Sequence, residues 1–363
     1  MKKLTKKKIA IVYDRVNKWG GAERVLLTLH EMFPKAPLYT SVYDEKNAPW
    51  AKVFPKVYTS FLQNIPFAKS NHEFLAPLMP LAFKSFNFDN YDLVISVTSE
   101  AAKGIKTRIG TLHICYCLTP TRYLWSGYPE YFSHPIVRFA SQPIINYLRK
   151  WDKKTAKKPD VMIAISSEVQ KRIKRYYNRK SNIIFPPVKL SIDRSIDTNY
   201  KKHYLVVSRL VGYKKVDLAV KTFNELGYPL VVVGTGREES KLKSIAKRNI
   251  KFIGQVSDKE LIKYYQKAKA LIMPQEEDFG IVAVEAQSFG VPVIAYKKGG
   301  AQDTVIDGKT GVLFNSQTVD SLIKAIAKFD KISFNHRYLV KNAKKFSKEN
   351  FKSRFLANVA KFK

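Results

Sequence analysis

Short runs of apolar, mostly β-branched residues alternate with longer amphipathic segments along the whole chain. In the first half the runs fall at 9–13, 93–97, 113–116 and 161–165, and in the second at 204–207, 230–233, 251–253, 270–273 and 291–296. Each is short and apolar throughout, as a strand covered on both faces must be. The intervening segments carry helix signals. Val216, Val220, Phe223 and Leu226 recur at helical spacing, and Gly227 stands where that helix should end. Ser166 and Ser167 precede Glu168 as helix caps, and the turn Trp19-Gly20-Gly21-Ala22 leads from the first strand into a helix from Glu23. Strand alternating with helix predicts an α/β protein with parallel sheets and helices on both faces.

The chain has 363 residues, too many for one compact core. The pattern breaks near Pro186-Pro187, and residues 189–202 are polar, charged and aperiodic. We therefore expect a first domain over 1–188, a linker over 189–202, a second domain over 203–345, and a C-terminal helix over 346–363. In that last stretch Phe346, Phe351, Phe355 and Val359 form an apolar stripe that packs back on a domain. Two doubly wound, Rossmann-like domains in tandem would face a central cleft at the carboxyl ends of their strands, where ligands bind such sheets.

Charge adds an expected partner. Lys and Arg number 64 against 30 Asp and Glu, a net charge of +34. The excess is spread over both halves but is densest at 101–190, with 18 basic and 4 acidic residues. Such a field attracts nucleic acid or an anionic membrane face. Lys171, Lys174, Arg175 and Lys180, with Arg172 and Arg179 among them, are the expected membrane-facing or acceptor-facing patch. No apolar run reaches the length of a membrane span, and the longest, 74–83, is interrupted by Pro77 and Pro80. The apolar run behind the N-terminal lysines is too short for a signal-peptide core. Cys115 and Cys117 form neither a disulfide framework nor a C-x-x-C motif, which fits a reducing compartment. His30, His72, His134 and His336 lack metal-ligand spacing, and there is no Asp-x-Asp pair, so no metal is expected.

Three strand-end motifs carry candidate chemistry. After the strand at 270–273 comes Pro274-Gln-Glu-Glu277-Asp-Phe279-Gly280-Ile281, which opens a helix containing Glu285. Glu277 lies in the loop, Gly280 admits a ligand against backbone N–H groups, and the helix N-terminus favours an anion. After the strand at 204–207 comes Ser208-Arg209-Leu-Val-Gly212-Tyr-Lys214, in which Arg209 and Lys214 can converge on one diphosphate. The Gly20-Gly21 turn is the third.

These motifs, with Gly254-Gln255-Val256-Ser257-Asp258 and Gly299-Gly300 before Thr304-Val305, resemble the E-x7-E signature and its companions in the retaining GT-B glycosyltransferases of family 4. Gly20-Gly21-Ala22-Glu23-Arg24, Tyr91-Asp92-Leu93-Val94-Ile95-Ser96, and Cys115-Tyr116-Cys117 followed by Thr119-Pro120 and Arg122-Tyr123-Leu124-Trp125 resemble a subgroup that builds lipid-linked polysaccharide and O-antigen and includes many mannosyltransferases.

The resemblance implies a hexosyltransferase that works with retention and without metal or cofactor. Arg209 and Lys214 would hold the donor diphosphate. Glu277 would bind the donor sugar, with the amides near Phe279, Gly280 and Ile281, and Glu285 the ribose. The backbone at Val256 would contact the base, and Gly21 would admit the donor phosphates. Arg122, Tyr123 and Trp125 are acceptor-side candidates. GDP-mannose is the favoured donor, with UDP-sugars as alternatives. The acceptor would be a lipid-linked or cell-envelope glycan at the cytoplasmic membrane face. There the basic first domain would rest on anionic lipid, with Phe and Leu side chains inserted between the charges. Leu118 and Glu100 stand where the subgroup usually carries His, and Asp303 where Glu is usual. Two other readings remain: a weakly active accessory subunit, suggested by Leu118, and a basic nucleic-acid-binding protein, suggested by charge without any recognition motif.

Overall fold

The computed structural model describes residues 7–69, 72–190 and 202–362. Most of the expected linker therefore lies outside the described residues. The chain divides into two compact units, one of Met1–Pro187 with Phe351–Lys363 and one of Val188–Asn350.

The first unit is built on a seven-stranded sheet. In chain order its strands are β1 (Ile9–Tyr13), β2 (Leu38–Thr40), β3 (Val57–Thr59), β4 (Leu93–Thr98), β5 (Leu112–Cys117), β6 (Val161–Ala164) and β7 (Asn182–Ile183). They lie in the order β3-β2-β1-β4-β5-β6-β7, and every pairing is parallel. The order reverses beside β1, whose Ile11 pairs with Leu38 on one side and Ile95 on the other. One face of the sheet, with Ala10, Val12 and Val94, packs on Met79, Phe83 and Phe88, so part of the chain's longest apolar run is core. Cys115 and Cys117 are buried free thiols within β5.

The second unit carries a six-stranded sheet of β8 (His203–Val207), β9 (Leu230–Val233), β10 (Ile250–Gly254), β11 (Ala268–Met273), β12 (Val293–Tyr296) and β13 (Gly311–Phe314), in the order β10-β9-β8-β11-β12-β13, again all parallel. Successive side chains of a strand point to opposite faces, and each face has its own core. Val206, Ile272 and Ile294 meet Ala219 and Phe223 of helix Val216–Leu226 and Leu322 and Ile326 of helix Val319–Asp330. Leu205, Leu271 and Val293 meet Tyr265, Ala283, Ala286 and Phe289 on the other side. Gly227 ends helix Val216–Leu226 in the left-handed region at φ 68°.

The stripe expected over 346–363 is divided. Phe346 lies before the last helix and packs edge-on against Phe279 at 5.5 Å, within the second unit. Phe351, Phe355 and Val359 are buried along helix Lys348–Ala360, and Phe351 meets Tyr116 of the first unit at 5.7 Å.

Candidate functional site

In a doubly wound sheet the ligand crevice opens where strand order reverses, outside the carboxyl ends of the two strands that flank the reversal. In the second unit those strands are β8 and β11. Chain leaving β8 enters Ser208-Arg209, and chain leaving β11 enters Pro274–Glu277, so the topology brings two of the three motifs to one place.

After Arg209 the chain makes a single 3-10 turn, Gly212–Lys214, closed by Lys215 in the left-handed region (φ 53°). That turn aims the Lys214 ammonium at Glu277, where it forms an ion pair with Oε1, both side chains being largely buried. Gln275 Nε2 donates to the same carboxylate oxygen at 3.0 Å. The Arg209 guanidinium, exposed at the end of β8, donates to the Tyr213 hydroxyl at 2.5 Å, and Lys214 also lies 5.2 Å from the Tyr213 ring centre. Two cations and one carboxylate thus share the mouth of the switch point.

Helix Ile281–Ser288 begins beside them. Its N-cap is Gly280 at φ 88°, a conformation that costs side-chain-bearing residues free energy. Phe279 is buried and anchors the loop from below. Glu285 lies one turn inside this helix, half-buried, and accepts from Tyr265 Oη at 3.1 Å. Val256 follows β10 and is half-buried against the second core. The chain then enters a capping box, in which Ser257 and Glu260 satisfy each other's backbone N–H groups.

Two glycine pairs, to which sequence reading assigned no role, set the walls. A Cβ on Gly234 would stand 1.9 Å from the Ser208 carbonyl oxygen, and one on Gly236 2.2 Å from that of Leu210. A Cβ on Gly299 would stand 2.1 Å from the Glu277 carbonyl oxygen, and one on Gly300 2.3 Å from the Phe279 backbone. The loops after β9 and β12 therefore lie directly on the two candidate loops, and Gly300 N–H donates to the Glu277 carbonyl at 2.8 Å. Glycines after strands were visible in the sequence; which backbone they approach was not.

The remaining candidates belong to the first unit. Gly21 opens helix Gly21–Met32 after β1. Trp125 is engaged in packing: its indole N–H donates to Asp152 at 2.7 Å and its ring stacks on Tyr176 at 5.1 Å. Tyr123 is half-buried next to Tyr131, with ring centres 6.2 Å apart, and burial raises its pKa well above the ordinary tyrosine value. Arg122 is half-buried in the same turn. The basic patch expected on helix Ser167–Tyr177 is thinner than its sequence. Arg172 is buried and pairs with Glu168 at 3.2 Å, and Arg179 folds back to bind the Ala156 carbonyl at 2.6 Å.

The first unit also holds a polar cluster that sequence reading missed, at its own switch point between β1 and β4. Asp14 accepts from the backbone N–H groups of Ser99, Glu100, Ala101 and Ala102 at 2.7–3.0 Å, and from the Thr98 hydroxyl. This cradle fixes Glu100, whose two oxygens lie 2.7 Å from Arg15 Nη1. Burial works against the Arg15 charge, but the Glu100 carboxylate raises its pKa above the ordinary arginine value. Beneath them Lys103 is buried in an ion pair with Asp152 at 2.5 Å. Among the described residues no cluster of His, Cys, Asp and Glu has the makings of a metal site.

Two Rossmann-like α/β units, each with a parallel sheet reversing beside its first strand, constitute the GT-B fold. The chain shares it with Anabaena HepE, solved in complex with UDP, at a TM-score of 0.72 and 18% identity over 98% of this chain and 100% of that one. Residues 191–346, which fall within the second unit, match the family described as glycosyl transferases group 1. Among curated relatives, a GDP-mannose-dependent monoacylated alpha-(1-6)-phosphatidylinositol monomannoside mannosyltransferase of Corynebacterium glutamicum is 36% identical over 32% of this chain and 34% of its own length. An uncharacterized glycosyltransferase of Haemophilus influenzae is 23% identical over 88% of this chain and 89% of its own. Over the first relatives it matches, the chain spans about a third to a half of their length, from 32% to 48%.

Proposed function

We propose that this protein is a retaining glycosyltransferase of family 4 that moves a hexose from a nucleotide sugar to a lipid-linked or cell-envelope glycan. The observation that carries the reading is the convergence of Arg209, Lys214, Glu277 and the Gly280 helix start at one switch point of a group 1 domain. A nucleotide sugar asks for that set: cations and amides for its diphosphate, carboxylates for its hydroxyls.

In the proposed reaction the bond from the sugar C1 to the diphosphate oxygen breaks, and the acceptor oxygen forms its bond to C1 on the same face. The acceptor proton leaves with the diphosphate. Arg209 and Lys214 meet the charge that grows on the departing oxygen, the step at which placed charges contribute most. Lys214 bridges that diphosphate and Glu277, which orients the sugar together with the amides of Phe279, Gly280 and Ile281. Glu285 takes the ribose hydroxyls and the backbone at Val256 the base. No metal or cofactor is needed in this scheme. The GDP-mannose dependence named for the corynebacterial relative favours mannose, and the UDP bound by HepE keeps UDP-sugars as the alternative. The acceptor reading places the protein at the cytoplasmic face of the membrane. No helix among the described residues is long and apolar enough to cross it.

The test is thermal unfolding of the full chain against a panel of nucleotide sugars. A donor at a hundred times its Kd adds about 2.7 kcal/mol of stability, a shift of a few degrees. We expect GDP-mannose or a UDP-hexose to give it; a flat response to every member overturns the proposal.

A further inference from the structure

Helix Pro135–Thr155 has two apolar faces. The inner one holds Ile145, Leu148 and Thr155, all buried in the first unit. On the other face Ile136, Phe139, Ile144 and Tyr147 stand 73%, 85%, 48% and 53% exposed. With Pro143 they fall, at helical spacing, within an arc of about 140° pointing away from the inner face. From Pro135 to Ile144 no residue is buried, so the first turns stand clear of the core with their apolar side chains in solvent. Exposed apolar area of that extent on one helix marks a surface that something covers.

The charge around it selects the occupant. No Asp or Glu lies between Glu130 and Asp152, and Asp152 is buried in its pair with Lys103. Lys150 and Lys154 continue the outer face toward its C-terminal end, and Lys153 is exposed beside them. A second copy would bring two positive faces together. An apolar stripe bordered by exposed lysines instead matches a bilayer, with acyl chains for the stripe and anionic headgroups for the ammonium groups.

We propose that the outer face of helix Pro135–Thr155 is a membrane-docking surface, inserted by Ile136, Phe139, Ile144 and Tyr147 and held by Lys150 and Lys154 against anionic lipid. This rests on the membrane-face part of the proposed function and gives it an element: this helix, in place of the thinned patch on helix Ser167–Tyr177.

The experiment is co-sedimentation of the full chain with phosphatidylglycerol-containing vesicles and with pure phosphatidylcholine vesicles. It compares wild type with the Ile136→Ser/Phe139→Ser double variant and with Lys150→Gln/Lys154→Gln. Nucleotide-sugar thermal shift and oligomeric state are measured on the same samples. Both pairs are exposed, so unfolding temperatures should stay unchanged. We expect preference for anionic vesicles, a loss of about tenfold or more in the serine variant, a weakened preference in the glutamine variant, and an unaltered donor shift in both. Equal binding to neutral vesicles, no binding by wild type, wild-type binding by the serine variant, or a serine variant that instead changes oligomeric state would each overturn the proposal. A missing donor shift with vesicle binding as expected overturns the proposed function alone.

Discussion

Replacing Arg209 with alanine separates a phosphate-gripping arginine from an ordinary surface charge. The side chain is exposed at the end of β8 and touches Tyr213, so its removal leaves both cores intact and should change stability by less than about 0.5 kcal/mol. The catalytic cost is larger. A unit charge about 4 Å from a phosphate oxygen, at an effective permittivity near 20, interacts by about 4 kcal/mol. The part of this realised only as charge builds on the departing oxygen is comparable to losing a placed donor, roughly 2.7–4 kcal/mol, or about 10²–10³ in kcat. Lys214 cannot take over, because its single ammonium, paired with Glu277, already makes its own contact to the diphosphate in the proposed scheme. The assay is release of nucleoside diphosphate from the donor identified by thermal shift, with kcat and KM taken separately and the unfolding temperature recorded beside them. Arg209→Lys should recover part of the rate, since it restores the charge without the fork. A folded Arg209→Ala enzyme within about threefold of wild-type kcat would refute the assignment.

Gly234→Ala forces a Cβ into the Ser208 carbonyl at a φ of 132°; it should lower the unfolding temperature and weaken nucleotide-sugar binding together, whereas an unchanged protein would show that the loop after β9 does not support Ser208–Leu210. Asp152→Ala leaves Lys103 buried without its carboxylate and should cost about 3–5 kcal/mol in urea unfolding; a loss under about 1 kcal/mol would contradict the burial of the pair. Burial, reinforced by the Lys158 and Arg179 charges, lowers the His113 pKa to about 3, and the imidazole meets the Ser96 hydroxyl at 2.8 Å. Below about pH 6.5 the unfolded chain therefore binds a proton that the folded chain refuses, so this group's contribution is lost as pH falls, by up to about 1.4 kcal/mol per pH unit. His113→Asn should flatten the dependence of urea stability between pH 7 and 5, and an identical slope in both proteins would contradict a neutral buried histidine.

Strands of four or more apolar residues were legible in the sequence with ends good to a residue or two, because a parallel sheet covered on both faces demands continuous apolar runs. β2, β3, β7 and β13 were not: segments of two or three residues such as Leu38–Thr40 and Asn182–Ile183 carry no period of their own, and β13 offers only three apolar residues behind Gly311. The Ser166 cap was legible because it is local, its side chain accepting from Val169 three residues on. The Asp14 cradle was not, because its donors lie 84 to 88 residues away and only the pairing of β1 with β4 brings them near. At the second switch point Arg209, Lys214 and Glu277 could be named as strand-end residues, but the Lys214–Glu277 pair is a product of the β8–β11 neighbourhood. For Trp125 the sequence places an aromatic beside Arg122 but cannot show that its N–H donates to Asp152, which only the fold brings near.

The proposed function requires that a nucleotide sugar's diphosphate be held where β8 and β11 part. It is tested most directly by determining the crystal structure of the full chain with the nucleoside diphosphate of its donor. We expect diphosphate oxygens within hydrogen-bond reach of Arg209, Lys214 and the amides at Gly280–Ile281, with the ribose toward Glu285. Nucleotide bound elsewhere on the chain, or that crevice empty at saturating nucleotide, would contradict it.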